Sequence, residues 1–262
     1  MGSHDLLWIT LDTLRFDVAQ AECLAGRTPN LARLLPGGQW QERHSPATFT
    51  YAAHHAFFAG FLPTPARPGP HTRHFAARFA GSESTDEHTM VFDSPDVVSG
   101  LRALGYHTVC VGGVGFFNKQ NPLGSVLPSL FDESHWSPAL GVTEPRSTEH
   151  QVSLACDMLR ARPPTQRVFL FVNVSAIHQP NRSYLDGHHE DSVYTHAAAL
   201  RYVDSALQPL FDTLQRRAPT VCMLFGDHGT AYGEDGYHGH RVAHPVVFTV
   251  PYGEFVLPLV SR

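Results

Sequence analysis

Charge is scarce in this sequence. Only 16% of its 262 residues are Asp, Glu, Lys or Arg, against 42% apolar, a balance that excludes a disordered chain and predicts a globular fold. The formal net charge is -5, and no basic stripe with interleaved aromatics runs along the chain, which argues against nucleic acid as a ligand. Cysteine is nearly missing too. Cys23, Cys110, Cys156 and Cys222 are far apart, form no C-x-x-C pair and fall mostly in apolar runs, so they read as reduced core residues. Long apolar runs are also lacking. The first, 6–11, is too short and too poorly flanked for a secretory segment, and none approaches a membrane span. The expectation is a cytoplasmic protein without a membrane partner.

What the chain has in excess is histidine. Its 18 histidines gather near 54–55, 71–74, 178, 188–189 and 238–244, which makes metal binding worth testing, although a histidine outside a motif is usually a solvated loop residue.

The length suits one domain over 1–262. Five short runs are apolar throughout rather than alternating: LLWITL (6–11), TVCVGG (108–113), VFLFVNV (168–174), VCMLF (221–225) and VVFTV (246–250). Such runs suit strands covered on both faces. Helical patterns separate them. Ser94-Pro95 opens one, Thr148 with Gln151 has the spacing of a capping box before another, and 193–214 repeats apolar residues at helical intervals. Strand and helix alternate, which predicts an α/β fold: a three-layer α/β/α sandwich around a mostly parallel central sheet. Two stretches rich in Pro and Gly, 61–90 and 118–143, read as loops over the ligand face.

In a doubly wound sheet, ligands collect beyond the carboxyl ends of the strands. Asp12, His178 and the pair Asp227-His228 each follow an apolar run, and Thr50 opens the helical stretch YAAHHAFFAG. Any one of these is ordinary in a turn or cap. Together, Asp12, Asp227 and His228 supply carboxylate and imidazole donors that the sheet would bring to one edge, a metal site in prospect. Thr50 at a helix N-terminus suits an attacking oxygen, since the dipole favours anions and a divalent cation activates a hydroxyl that is otherwise a weak nucleophile; an N-cap is the structural alternative. The glycine- and histidine-rich loop 226–244 holds His240 as a further ligand candidate, with His238, Arg241 and His244 as candidate contacts to an anionic substrate. Arg15 and His54 are candidates for the same task.

These segments resemble the sulfatase and alkaline-phosphatase superfamily. LLWITLDTLRFD is similar to its opening strand, with Asp12 as the metal-binding carboxylate; SPATFTYAAHHAFFAG resembles its nucleophile helix, with Thr50 and Gly60 at the expected separation; FVNVSAIHQPN resembles its H-x-P segment, and FGDHGTAYGEDGYHGH its D-H-G-x-x-x-G-E-x-G-x-x-x-H motif. The resemblance implies a divalent metal, zinc or manganese, held by Asp12, Thr50, Asp227 and His228, with His178 and His240 facing substrate or holding a second ion. It also implies an alkaline-phosphatase-like fold. Departures shape the functional expectation. Formylglycine sulfatases need Cys or Ser where Thr50 stands, the second Asp of their D-D pair is Thr13, and their G-K-x-H stretch is replaced by GGVGFF. The combination is closer to the branches that act on phosphate esters through Thr. The expected function is therefore a metal-dependent hydrolase or transferase of small anionic phosphate-type esters, sulfate esters being the less favoured substrate, with Thr50 as nucleophile and His178 and His240 assisting. The alternative is a catalytically inactive metal-binding or interaction protein on the same fold.

Overall fold

The structure, a computed structural model, describes residues 3–60, 75–76, 90–91 and 96–260. Seven strands make the central sheet: β1 (Asp5–Leu11), β2 (Gln41–His44), β3 (His107–Val111), β4 (Glu133–His135), β5 (Val168–Val174), β6 (Thr220–Gly226) and β7 (Thr249–Leu257), in the order β2-β7-β6-β1-β5-β3-β4. From β6 through β4 all pairings are parallel, and β7 runs antiparallel to both β6 and β2. The expected mostly parallel sheet is the one observed.

Why the core strands are apolar throughout is visible in how they divide their residues. Side chains alternate across a strand, so a strand covered on both faces must be apolar at both parities. Leu7, Ile9 and Leu11 of β1 with Leu170, Val172 and Val174 of β5 join one core, packed with the helices α1 (Phe16–Leu24), α4 (Ser147–Arg160), α5 (Val193–Ala206) and α6 (Gln208–Arg217). Phe169 and Phe171 of β5 with Cys110 of β3 join the other, packed with α2 (Thr50–Ala59) and α3 (Val97–Ala103). This second core is aromatic: Phe58 packs edge-on against Phe171 at 5.2 Å and Phe131 at 5.6 Å. The four cysteines are buried and unpaired, as core residues.

Several local expectations are corrected. The run VVFTV is not one strand, because Pro245 opens a short helix, Pro245–Phe248, and β7 begins only at Thr249. The pattern over 193–214 is two helices, α5 and α6, divided where Pro209 removes a backbone donor. Thr148 and Gln151 form no capping box. Gln151 instead donates to the carbonyls of Gly112 and Asn173 at 3.2 and 2.7 Å, so a tertiary contact takes the side chain that local capping would have used. The stretch 118–143 is not only loop, since it holds a short helix, Pro122–Val126, and edge strand β4. Helix α3 is capped by Asp96 in a capping box with Ser99. The expected start at Ser94-Pro95 and most of the expected loop 61–90 lie outside the described residues, except for two short paired strands, Phe75–Ala76 and Met90–Val91.

Candidate metal centre and active site

Asp12 is the first residue beyond β1, and its backbone N–H donates to the Val174 carbonyl at 3.1 Å, which ties it to the end of β5. Asp227 and His228 follow β6 directly. Because β5 and β6 flank β1 in parallel register, Asp12 and Asp227 leave the sheet at the same edge. Both carboxylates and the His228 ring are fully buried, and one ligand atom from each lies within 4.8 Å of the others. Thr50 joins them from the first turn of α2. Its Oγ1 stands 3.4 Å from Asp12 Oδ2 and 3.3 Å from His228 Nε2. The N-cap of α2 is Phe49, so the Thr50 hydroxyl is not spent on capping.

The polar atoms are held in place by partners that leave one side of each group uncommitted. Asp227 Oδ1 accepts from the backbone N–H of Thr13 and of His228, both at 3.0 Å, while its Oδ2 has no hydrogen-bond partner among the described residues. Asn173 Nδ2 donates to Asp12 Oδ2 at 3.0 Å, and Asp12 Oδ1 is likewise unpartnered there. His228 donates from Nδ1 to the Gly229 carbonyl at 2.8 Å, which leaves the lone pair on Nε2. Buried acceptors facing one another without donors are costly unless a cation sits among them. The donor set, two carboxylates, an imidazole nitrogen and a hydroxyl, fits a divalent metal such as zinc or manganese.

Electrostatics agree with that fit. Burial pushes the Asp12 carboxyl up, with Asp227 adding to the shift, and burial pushes Asp227 up to about 7. The same burial lowers His228 and takes His240 down to about 4, with His228, His178 and Arg241 contributing. A cation would have to displace a proton from Asp227, so its affinity should strengthen from pH 5.5 to pH 7.5 by at least ~10-fold; isothermal titration of the metal at the two pH values measures this. An affinity independent of pH would mean that the carboxylates are not the ligands.

His178 and His240 come to this centre. The His240 ring lies 4.9 Å from that of His228 and 5.6 Å from that of His178, so it neighbours both. His178 donates from Nδ1 to the Gln179 carbonyl at 2.5 Å, beside the cis peptide Gln179-Pro180. Arg241 stands at the rim. Its N–H donates to the Thr48 carbonyl at 2.8 Å, and its guanidinium lies 5.5 Å over the ring of Phe49, next to Thr50.

Other sequence candidates turn elsewhere. His54 is fully buried, donates from Nδ1 to the Thr50 carbonyl at 2.7 Å and accepts at Nε2 from Thr10 Oγ1 at 3.0 Å. Burial pushes it down to about 3, so it is neutral, and its 3.8 Å approach to Asp227 Oδ2 is no ion pair. Both ring nitrogens are thus engaged by α2 and β1. Arg15 is also buried and is held by Asp17 at 2.6 Å and by Glu234, which neutralise it within the fold. His244 accepts from the Val246 N–H at 3.3 Å, capping the helix there, and donates to Asp235 at 3.1 Å. His238 is exposed, in a two-stranded ribbon of Ala231–Tyr232 and His238–Gly239.

Sequence reasoning passed over Asn173, Thr10 and Ser45. Asn173 links Asp12 to Thr10 Oγ1 and accepts from the Val114 N–H, and Ser45 donates to the Asp227 carbonyl. The available signal was a single polar residue in each apolar run, Asn173 in VFLFVNV and Thr10 in LLWITL. Gly229, by contrast, is explained by packing. A Cβ there would sit 1.9 Å from the Val246 carbonyl oxygen, which is backbone and cannot swing aside. Gly229→Ala should therefore lower stability by ~3 kcal/mol or more, read from chemical denaturation; a loss under ~1 kcal/mol would contradict the close approach.

Comparison with known proteins bears on the fold. A sequence profile described as sulfatase matches residues 4–251. Similar structures include the periplasmic domain of phosphoethanolamine transferase EptC from Campylobacter jejuni, at 13% identity and TM-score 0.65, over 97% of this chain and 79% of that one. The corresponding EptC domain from Escherichia coli, in complex with zinc, aligns at 12% identity and TM-score 0.67, over 97% and 73%. A protein in the alkaline phosphatase superfamily from Vibrio parahaemolyticus aligns at 18% identity and TM-score 0.61, over 99% and 62%. At such identities the likeness establishes an alkaline-phosphatase-like fold. No curated protein matches the sequence. Among the described residues, no helix is long and apolar enough to cross a membrane.

Proposed function

The chain belongs to the sulfatase family, and from that premise we propose that it transfers or hydrolyses phosphate-type esters with Thr50 as its nucleophile. The observation that carries this reading is the placement of the Thr50 hydroxyl, turned away from capping and held 3.4 Å from Asp12 and 3.3 Å from His228 within a cluster of unpartnered buried acceptors. Asp12, Asp227, His228 and Thr50 would hold a divalent ion. Once bound, the ion acts as a Lewis acid that makes the Thr50 hydroxyl easier to deprotonate and offsets charge on a substrate oxygen.

The chain's own residues supply the rest. Thr50 Oγ1 gives up its proton to solvent water, from which the leaving oxygen later takes one up, and forms a bond to phosphorus as the bond from phosphorus to the leaving oxygen breaks. The N-terminal end of α2 places positive dipole beside the non-bridging oxygens, and Arg241 adds a full charge from the rim. His178 and His240 are placed to hydrogen-bond the substrate, with His240 beside the departing oxygen, which leaves as an alcohol after taking up a proton. Water or an acceptor alcohol then displaces the phosphoryl group from Thr50. Phosphate is preferred to sulfate in this reading because a threonine cannot provide the aldehyde nucleophile of formylglycine sulfatases. The naming of one similar structure as a phosphoethanolamine transferase, and of another as a zinc complex, supports phosphate chemistry and zinc.

Elemental analysis combined with an ester panel tests this. The expected result is about one zinc or manganese per chain and turnover of phosphomonoesters, phosphodiesters or phosphonates ahead of sulfate esters. Metal-loaded protein that turns over none of them would overturn the enzymatic reading in favour of a binding protein on the same fold.

A further inference from the structure

His178 and His240 stand on separate segments, the turn after β5 and the loop after β6, and a chain of hydrogen bonds behind them joins the two. Asn181 Nδ2 donates to the Ile177 carbonyl, one residue before His178, and to Tyr232 Oη, both at 2.9 Å. Tyr232 lies in the two-stranded ribbon opposite His238, and the second strand of that ribbon leads directly into His240. The Tyr232 phenol oxygen is also 3.0 Å from His196 Nδ1, in the first turn of α5, and its backbone N–H donates at 2.6 Å to Glu234, the carboxylate that pairs with Arg15. Thr195 Oγ1 donates to Asn181 Oδ1 at 2.6 Å, which fixes the amide in orientation as well as in place. Asn181, Thr195 and His196 are fully buried. Burial takes His196 down to about 3 and pushes the Tyr232 phenol up, so both are neutral. A further bond between the two segments, from Thr230 Oγ1 to Gln179 Oε1, is 3.4 Å long, at the limit for a hydrogen bond.

The geometry points to Tyr232 as a positioning residue: through its bond to Asn181, the phenol hydroxyl sets where His178 and His240, with rings 5.6 Å apart, stand relative to each other. The inference rests on the reading of these two histidines as substrate contacts and adds what holds them. Packing does not call for the hydroxyl, since phenylalanine would fill the same space. Without it, a buried Asn181 N–H and the His196 Nδ1 would each lose a partner. Buried polar groups that satisfy one another hold a single arrangement, whereas apolar contacts alone leave neighbouring loops free to shift. A pair of substrate contacts needs that constraint, because small displacements weaken them and neither histidine stands on a helix or a sheet strand. The rest of the centre has other supports. Arg241 is held by the Thr48 carbonyl, Asp12 by Val174, Asp227 by Thr13 and His228 by Gly229.

The test is isothermal titration of inorganic phosphate into the zinc-loaded full chain, for wild type, Tyr232→Phe, Asn181→Ala and His240→Ala, and for Tyr232→Phe combined with His240→Ala. Zinc affinity and melting temperature are measured on the same proteins. Tyr232→Phe should bind phosphate at least ~10-fold more weakly than wild type, with zinc affinity within about threefold. In the His240→Ala background the same substitution should change phosphate affinity by less than about twofold, because the group it positions is gone; a purely structural loss would appear in full in both backgrounds. Asn181→Ala cuts the same link from the other segment and should give the same loss, so it replaces Tyr232→Phe if that chain does not fold. Wild-type phosphate affinity in the folded variant, or an equal loss with and without His240, overturns the inference while leaving the reading of the metal centre intact. A wild-type chain that holds zinc but binds no phosphate overturns both the inference and the substrate-facing role of the two histidines.

Discussion

Thr50→Ala should leave a folded, metal-binding protein whose turnover is lower by ~10³-fold or more. The size of the effect follows from what is removed. Alanine deletes the only atom assigned to form a bond with phosphorus, and water entering in its place lacks the position that the first turn of α2 imposes. Folding should survive because the helix does not depend on this hydroxyl: the N-cap is Phe49, with no side-chain cap bond, and the first helical hydrogen bond runs from the Ala53 N–H to the Phe49 carbonyl at 3.1 Å. Metal should survive because two carboxylates and His228 remain. Single-turnover kinetics on the best ester, with metal content and melting temperature measured on the same preparation, separate the three quantities. An active Thr50→Ala protein with its metal in place would refute the nucleophile and point to a directly attacking water.

Asp227→Asn should have opposite effects on metal and on stability. Affinity for the ion should fall at least ~100-fold, since a charged ligand is replaced by a neutral one. The metal-free protein should become more stable than wild type at neutral pH. In the folded chain burial holds the Asp227 carboxyl near 7, whereas 3.8 is its ordinary value. Between those two values the folded state keeps a proton that the unfolded chain releases, so the wild-type metal-free protein loses stability as the pH rises through that window. Asparagine has no charge to desolvate. It can keep the acceptor that receives the N–H groups of Thr13 and His228, and its amide takes the place of an oxygen that has no partner among the described residues. The gain should be absent near pH 4, grow up to about pH 7 and level off above it. Denaturation curves of the two metal-free proteins at pH 4.5 and 8 provide the comparison. A variant less stable than wild type at pH 8 would show that Asp227 is satisfied within the fold and has no need of a cation.

Both effects come from a centre whose candidate ligands could be found one at a time. Asp12 follows a run that is apolar but for Thr10, Asp227 and His228 follow one that is apolar throughout, and a strand buried on both faces ends where the first carboxylate or imidazole occurs. Thr50 was harder, because a threonine opening a helix is most often a cap; only the geometry of Phe49 and the approach to Asp12 and His228 separate the two roles. The basic candidates fared differently. Arg15 and His54 have the chemistry of substrate contacts and lie close to the site in sequence, yet Asp17 and Glu234 take the first, and the Thr50 carbonyl with Thr10 takes the second. Their partners come in part from segments remote along the chain, Glu234 for Arg15 and Thr10 for His54, which no local pattern reveals.

By itself the sequence determined the layered α/β architecture, the strands β1, β3, β5 and β6, and the residues at their carboxyl ends, because hydrophobic periodicity reports burial along a single element and the position of a polar residue in that pattern is local. The tertiary structure alone decided which polar groups are already satisfied and which are not. It assigned Asn173 and Ser45 as supports, consumed Arg15 in ion pairs, placed Arg241 over Phe49 and left Asp12 Oδ1, Thr13 Oγ1 and Asp227 Oδ2 without partners among the described residues. A hydrogen bond or an ion pair depends on a few ångströms between atoms whose residues lie as many as 219 positions apart, and that separation is fixed only when the whole sheet has closed around them.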